Sequence, residues 1–147
     1  MRLLFKKEDF MKPGVINIRT SPKSCQGCRT CEAVCSVSHY DAVNPNASGI
    51  HIKEGSVLGN FKIIVCLQCY EMYCAKACPN NNITRNSFSG AVEIGDKCVG
   101  CGACAQACEI NAINLVDMGE GKKAIKCDLC GGLPACTSVC PRNCLAW

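Results

Sequence analysis

The sequence predicts an α+β fold of short hairpins and short helices, arranged as two small modules rather than around one large core. Three observations lead there. Seventeen of the 147 residues are cysteine, and sixteen of these fall into four runs that each open C-x2-C and close C-x3-C. Internal repetition of this kind sets the architecture before any single element does. Pairs of short alternating or β-branched stretches, joined by turn-forming segments, separate the runs. Aromatic residues make up only 5% of the chain, too few for a large apolar interior, so modules of this size need staples of another kind.

Taken in order, residues 1–13 carry Leu3, Leu4, Phe5, Phe10 and Met11 among charges. They read as a short amphipathic helix or arm, either a docking element for a partner or a frayed terminus. Residues 15–19 alternate like a strand, with Ile16 and Ile18 on one face, so residues 1–20 stand apart as an N-terminal arm or strand. Pro22 turns the chain into the first run, Cys25, Cys28, Cys31 and Cys35. Residues 31–38 read as a helical turn carrying Cys35 inward, and residues 41–49 are loop chemistry. Residues 49–53 and 61–65 form two strands, the second leading straight into the second run, Cys66, Cys69, Cys74 and Cys78. Residues 83–86 and 91–94 pair as a hairpin across 87–90. The third run follows, Cys98, Cys101, Cys104 and Cys108. Residues 112–116 and 123–126 make a similar hairpin, and the fourth run, Cys127, Cys130, Cys136 and Cys140, closes the chain. The beat is strand pair, cysteine loop, short helix, with the helices packed on two-stranded sheets.

The spacing specifies the chemistry. In runs one and three, three thiols fall within seven residues, close enough to wrap one compact cofactor. The fourth is thrown onto the next helical turn. This C-x2-C-x2-C-x3-C run is a [4Fe–4S] ligand pattern in which the fourth cysteine reaches a second cluster. Runs two and four are the same unit with two and three residues added. Gly100 and Gly102 let the backbone approach an inorganic core. A secreted disulfide scaffold is disfavoured, because the opening residues lack the apolar stretch of a secretory signal and point to a cytoplasmic protein. Zinc sites pair two C-x2-C knuckles across a longer gap, which these runs do not. Sixteen thiolates therefore imply four [4Fe–4S] clusters, and a chain stripped of them is expected to be largely unfolded.

The formal charge is +4. Four oxidised clusters with their thiolates add about −8 and leave about −4, so the basic count gives no ground for nucleic-acid binding. No apolar run approaches the roughly eighteen residues of a membrane span. His39 and His51 have no nearby nucleophile or acid pair, and neither a phosphate-binding loop nor a dinucleotide fingerprint is present. The chain is thus expected not to be catalytic alone. His51 reads as a surface residue of a strand, and His39 as a group that tunes a cluster or touches a partner. Lys23, Arg29, Lys76, Lys97, Lys126 and Arg142 flank the runs, each either raising a neighbouring potential or solvating the surface. Pro79 and Pro141 end their runs, where Ser36 and Glu109 stand in the other two. Glu109 would lower the potential of a nearby cluster. Cys144 reads as a small buried hydrophobe, while its spacing from Cys140 leaves a ligand role open.

The four-run arrangement resembles the iron–sulfur subunits of multi-subunit oxidoreductases, over residues 20–147. Cys28-Arg-Thr-Cys-Glu-Ala-Val-Cys-Ser-Val-Ser-His39, followed by Asn44-Pro45 and Gly-Ile-His-Ile, is most similar to the subunits serving tungsten-dependent aldehyde oxidoreductases and benzoyl-CoA reductases. The resemblance implies that run one pairs with run four and run two with run three. Cys25, Cys28, Cys31 and Cys140 would then hold one cluster, and Cys127, Cys130, Cys136 and Cys35 its partner. Cys66, Cys69, Cys74 and Cys108 would hold a third, and Cys98, Cys101, Cys104 and Cys78 a fourth. Residues 21–60 with 118–147 form the first ferredoxin module, and residues 61–117 the second. The implied role is an electron-transfer subunit between a large catalytic subunit, of tungsten or molybdenum aldehyde oxidoreductase type, and a flavin or ferredoxin-type acceptor. The alternatives are a subunit of a hydrogenase, formate dehydrogenase or CO dehydrogenase, and a free polyferredoxin. Clusters near both ends would also let copies stack into a longer electron-conducting chain.

Overall fold

The computed structural model describes residues 16–147; the arm expected over residues 1–13 lies outside the described residues. The strands are β1 (Arg19–Thr20), β2 (Ile50–Glu54), β3 (Phe61–Val65), β4 (Ile83–Arg85), β5 (Val92–Ile94), β6 (Asn114–Asp117), β7 (Lys122–Ile125) and β8 (Leu145–Ala146). The helices are α1 (Thr30–Tyr40), α2 (Tyr73–Ala77), α3 (Ala103–Ala107) and α4 (Ala135–Val139). The strands make four separate antiparallel pairs: β1 with β8, β2 with β3, β4 with β5, and β6 with β7. The fold is accordingly a small mixed one of short elements, as expected.

Three pairs are hairpins whose turns follow from local chemistry. Asn86 Oδ1 accepts the N–H groups of Phe88 and Ser89 at 2.8 and 3.2 Å, closing the β4–β5 turn with a side chain that mimics backbone. Asp117 Oδ1 does the same for Gly119 N–H at 2.9 Å in the β6–β7 turn. The last hairpin begins two residues later than expected, at Asn114. Ala112 is needed elsewhere, as an N–H donor to Cys108 Sγ.

The fourth pair joins the two ends of the described chain, with Arg19 opposite Ala146 and Thr20 opposite Leu145. It corrects the expected strand over 15–19. The pairing holds only Arg19 and Thr20, and of the two isoleucines expected on one face Ile16 is 44% exposed while Ile18 is buried.

Strand β2 corrects a second expectation. His51 is buried rather than a surface residue, and the side chain of Asn114, first residue of β6, meets its ring. Asn114 Nδ2 donates to His51 Nε2 at 2.7 Å, and burial pushes the imidazole below its ordinary pKa. The outer edge of β2 is closed by α1, where buried Glu32 accepts Ile52 N–H at 2.6 Å.

Helix α1 packs on α4, and α2 packs on α3. One core gathers Ile18, Ile50, Ile52, Val65, Leu129 and Leu145, and a second gathers Ile83, Val92, Ile113 and Ala124. Cysteine side chains are interleaved in both. Helix α1 runs two residues past the expected end and stops where Asp41 turns left-handed and its N–H bonds Val37 O at 3.0 Å. The other three helices have five residues each, too short to persist without tertiary support.

The loop of run three is pressed against β7. A Cβ added to Gly100 would stand 2.2 Å from Lys122 O, at a φ of +70°; at Gly119, φ is +91° and nothing lies within 4 Å. Gly119→Ala should cost only the left-handed backbone, about 1–2 kcal/mol. Gly100→Ala is expected to lower the melting temperature of the cluster-loaded protein considerably further. Equal losses would contradict this packing.

Candidate functional site

The repeat seen in the cysteines is also written in the backbone. In each run the residue just before the second cysteine is left-handed: Gly27 (φ 70°), Gln68 (52°), Gly100 (70°) and Leu129 (59°). This reverses the chain between the first two thiols. Two of the four positions are glycine, the residue for which the conformation costs nothing. Helices α1, α2 and α3 are then entered from a left-handed residue, Arg29, Met72 and Gly102 respectively.

A second device follows the last cysteine of runs two, three and four. Asn81, Asn111 and Asn143 stand three residues on, all left-handed at φ 48°, 53° and 50°. Their N–H groups return to the carbonyls of Cys78, Cys108 and Cys140 at 3.1–3.2 Å. The next N–H then points at sulfur: Asn82 to Cys78 Sγ at 3.5 Å, Ala112 to Cys108 Sγ at 3.3 Å, and Cys144 to Cys140 Sγ at 3.3 Å. Asparagine tolerates this conformation better than other side chains with a Cβ. The signal C-x-x-N was available in the sequence. Cys35 lies inside the longer α1, so it takes its N–H from Gly49 instead, at 3.2 Å. Cys66, Cys98 and Cys127 also accept, from Gln68, Ala124 and Leu129 at 3.4 Å each.

Three cavities are lined by thiols, two by four and one by five. One has Cys66, Cys69, Cys74 and Cys108. Another has Cys25, Cys28, Cys31 and Cys140, with Cys144 as the fifth. The third has Cys78, Cys98, Cys101 and Cys104. Each gathers three cysteines of one run and the last cysteine of another. The remaining four, Cys35, Cys127, Cys130 and Cys136, gather where α1 meets α4. Burial and then the neighbouring Cys35 and Cys130 push Cys136 up to about 12, while burial raises Cys127, with Cys136 among its neighbours. All seventeen cysteines are free thiols.

This donor set fits iron–sulfur clusters. It offers soft sulfur ligands in fours, apolar walls and N–H groups aimed at sulfur, which tune such clusters. Burial also pushes Cys31 to about 12 and Cys69 to about 11, so each thiol must give up its proton to bind metal.

The charged neighbours separate by depth. Lys23, Arg29, Lys97 and Arg142 are exposed. Arg29 pairs with Glu32 at 3.4 Å, and exposed Lys76 pairs with Glu71 at 2.7 Å. Lys126 alone of the six flanking cations is buried. Glu109 is exposed but lines the Cys66 cavity. His39 bonds Cys35 O through Nδ1 at 2.8 Å and Asp128 Oδ1 through Nε2 at 2.9 Å. The Asp128 carboxylate, and next Cys35, hold its pKa up to about 11. Cys144 is buried at the position held by Asn82 and Ala112 in the other runs, where the backbone N–H serves the sulfur. Cys28 and Cys101 are the two exposed cysteines.

Residues 97–146 match the 4Fe-4S dicluster domain. The chain is 38% identical over 125 residues to the aliphatic sulfonate oxidoreductase, polyferredoxin-like subunit, of Pyrococcus furiosus, covering 84% of this chain and 70% of that one. It is 34% identical over 145 residues to the electron transport protein HydN of Escherichia coli, covering 82% and 81%. Among solved structures, the active site complex BamBC of benzoyl coenzyme A reductase matches with a TM-score of 0.48 at 19% identity, over 88% of this chain and 76% of that one.

Proposed function

Since the chain belongs to the iron–sulfur electron-transport family of polyferredoxin-like subunits, we propose that it relays single electrons through four [4Fe–4S] clusters inside an oxidoreductase complex. The observation that carries the reading is the sharing of thiols between runs. A last cysteine from one run lines the cavity of another in all three thiol-lined cavities, the arrangement a two-cluster module requires. The sixteen ligands are those grouped above. They define two modules, residues 21–60 with 118–147, and residues 61–117. The packing of α1 on α4 and of α2 on α3 supports that division.

When bound, a four-iron cluster supplies a one-electron couple. The chain's own residues hold the thiolates, direct N–H groups at seven sulfurs, and keep water from the inner ligands. Exposed Cys28 and Cys101 belong to the first and fourth groups, so these two stations are the points of entry and exit. The neighbours of the inner ligands support the order between them. Cys136 feels Cys31 of the first group, and Cys127 feels Cys66 of the third.

The partner is a large catalytic subunit, of tungsten or molybdenum aldehyde oxidoreductase type, with a flavin or ferredoxin-type protein at the other end and the N-terminal arm as docking element. The sequence match to the sulfonate oxidoreductase subunit supports an oxidoreductase partner, and the segment Cys28–His39 alone supports the tungsten or molybdenum type. Anaerobic affinity purification of the tagged chain from its own cells is expected to bring down a stoichiometric large subunit carrying tungsten or molybdenum. A chain recovered alone with its clusters intact would favour a diffusing polyferredoxin.

A further inference from the structure

Lys126 is buried, 7% exposed, and a buried ammonium is costly unless it is paired. Its Nζ donates to two backbone carbonyls, of Val92 and of Cys127. Among the described residues the ion pairs are Arg29–Glu32, His39–Asp128 and Lys76–Glu71; Lys126 is in none of them. Three acids line the cavities it borders, Glu93 and Asp128 in one and exposed Glu109 in the other; the first two are bonded by Asn86 and His39, and none of the three makes an ion pair with it. Two carbonyls solvate the ammonium but do not neutralise it.

The surroundings show where the missing charge lies. One carbonyl is that of Cys127, first cysteine of the fourth run. On its other side Lys126 lines the cavity of Cys66, Cys69, Cys74 and Cys108. Gln68, fully buried, locks the same seam: its Nε2 donates to Cys127 O at 2.9 Å and its Oε1 accepts Val92 N–H at 2.7 Å. Val92 and Cys127 therefore each bond both side chains. Lys126 thus lies beside one thiol from each neighbouring group, Cys74 across the cavity lining and Cys127 through its carbonyl. An oxidised four-iron cluster with its thiolates carries about −2, the counter-charge that no ion pair of Lys126 supplies.

We propose that Lys126 is the internal counter-ion shared by the two central clusters, a positioning residue whose fixed charge raises their potentials. The inference rests on the four-cluster reading above. A positive charge favours the reduced, more negative form of a cluster. The central stations thus take electrons more readily than they would across a neutral seam.

The test is a redox titration followed by electron paramagnetic resonance on cluster-loaded wild type, Lys126→Gln and Lys126→Arg, with iron counted in each. Lys126→Gln is expected to lower the midpoint of at least one cluster by tenfold or more in the reduction equilibrium, about 59 mV for one electron. Lys126→Arg should titrate like wild type. Loss of iron in the glutamine variant but not in the arginine variant also supports the proposal, since charge and not shape is then required. Unshifted midpoints in a fully loaded Lys126→Gln overturn it, as does an arginine variant that shifts or loses iron as far as the glutamine one. Wild type without iron would defeat the four-cluster reading, and this inference with it. Loaded wild type with an unaffected glutamine variant defeats this inference alone.

Discussion

The double variant Cys66→Ala/Cys108→Ala is expected to lose no more iron than either single variant, about four of about sixteen atoms per chain. Cys101→Ala/Cys108→Ala is expected to lose about eight. The reason lies in which cavity Cys108 lines. Its sulfur stands with Cys66, Cys69 and Cys74, while the first three cysteines of its own run surround a different cavity with Cys78. Two residues that serve one cluster fail together, and two that serve separate clusters fail independently. The opposite pattern, with Cys101 and Cys108 redundant, would show that each run folds around its own metal and would remove the basis for a shared module.

Stripping the iron with a chelator under anaerobic conditions is expected to abolish nearly all far-ultraviolet dichroism, with recovery only on cluster reconstitution. Three helices have five residues and two strands have only two. Neither length is stable in isolation. The side chains that would have to form the remaining interior include Cys31, Cys35, Cys66, Cys104, Cys127 and Cys136, all buried. Without metal these are small weak hydrophobes around open space, and the core they line has no filling. A stripped chain that kept its dichroism and a cooperative melt would mean that the hairpins carry the fold by themselves.

The sequence revealed some features and concealed others for physical reasons. The cysteine runs were legible because metal coordination demands fixed spacing. The hairpins at 50–65 and 83–94 were legible because alternation and turn chemistry are local. The β1–β8 pair was not, since two-residue strands carry no period and their partners lie at opposite ends of the described chain. His51 was misplaced because alternation tells only that two faces differ, and here Asn114 of β6 meets the imidazole on the face expected to meet water. The C-x-x-N turns after Cys78, Cys108 and Cys140 could have been seen. They were hidden by varied neighbours, since only the asparagine and the backbone do the same thing each time. The depth of Lys126 and Gln68 depends on how runs two and four meet, which no single stretch of sequence encodes.

The number of clusters underlies every other conclusion, and it is directly countable. Iron and acid-labile sulfide, measured per chain on protein isolated without oxygen, should each come to about sixteen, with no stoichiometric zinc. About eight of each would leave one module empty and break the relay, and a folded chain carrying zinc or no metal would contradict the account altogether.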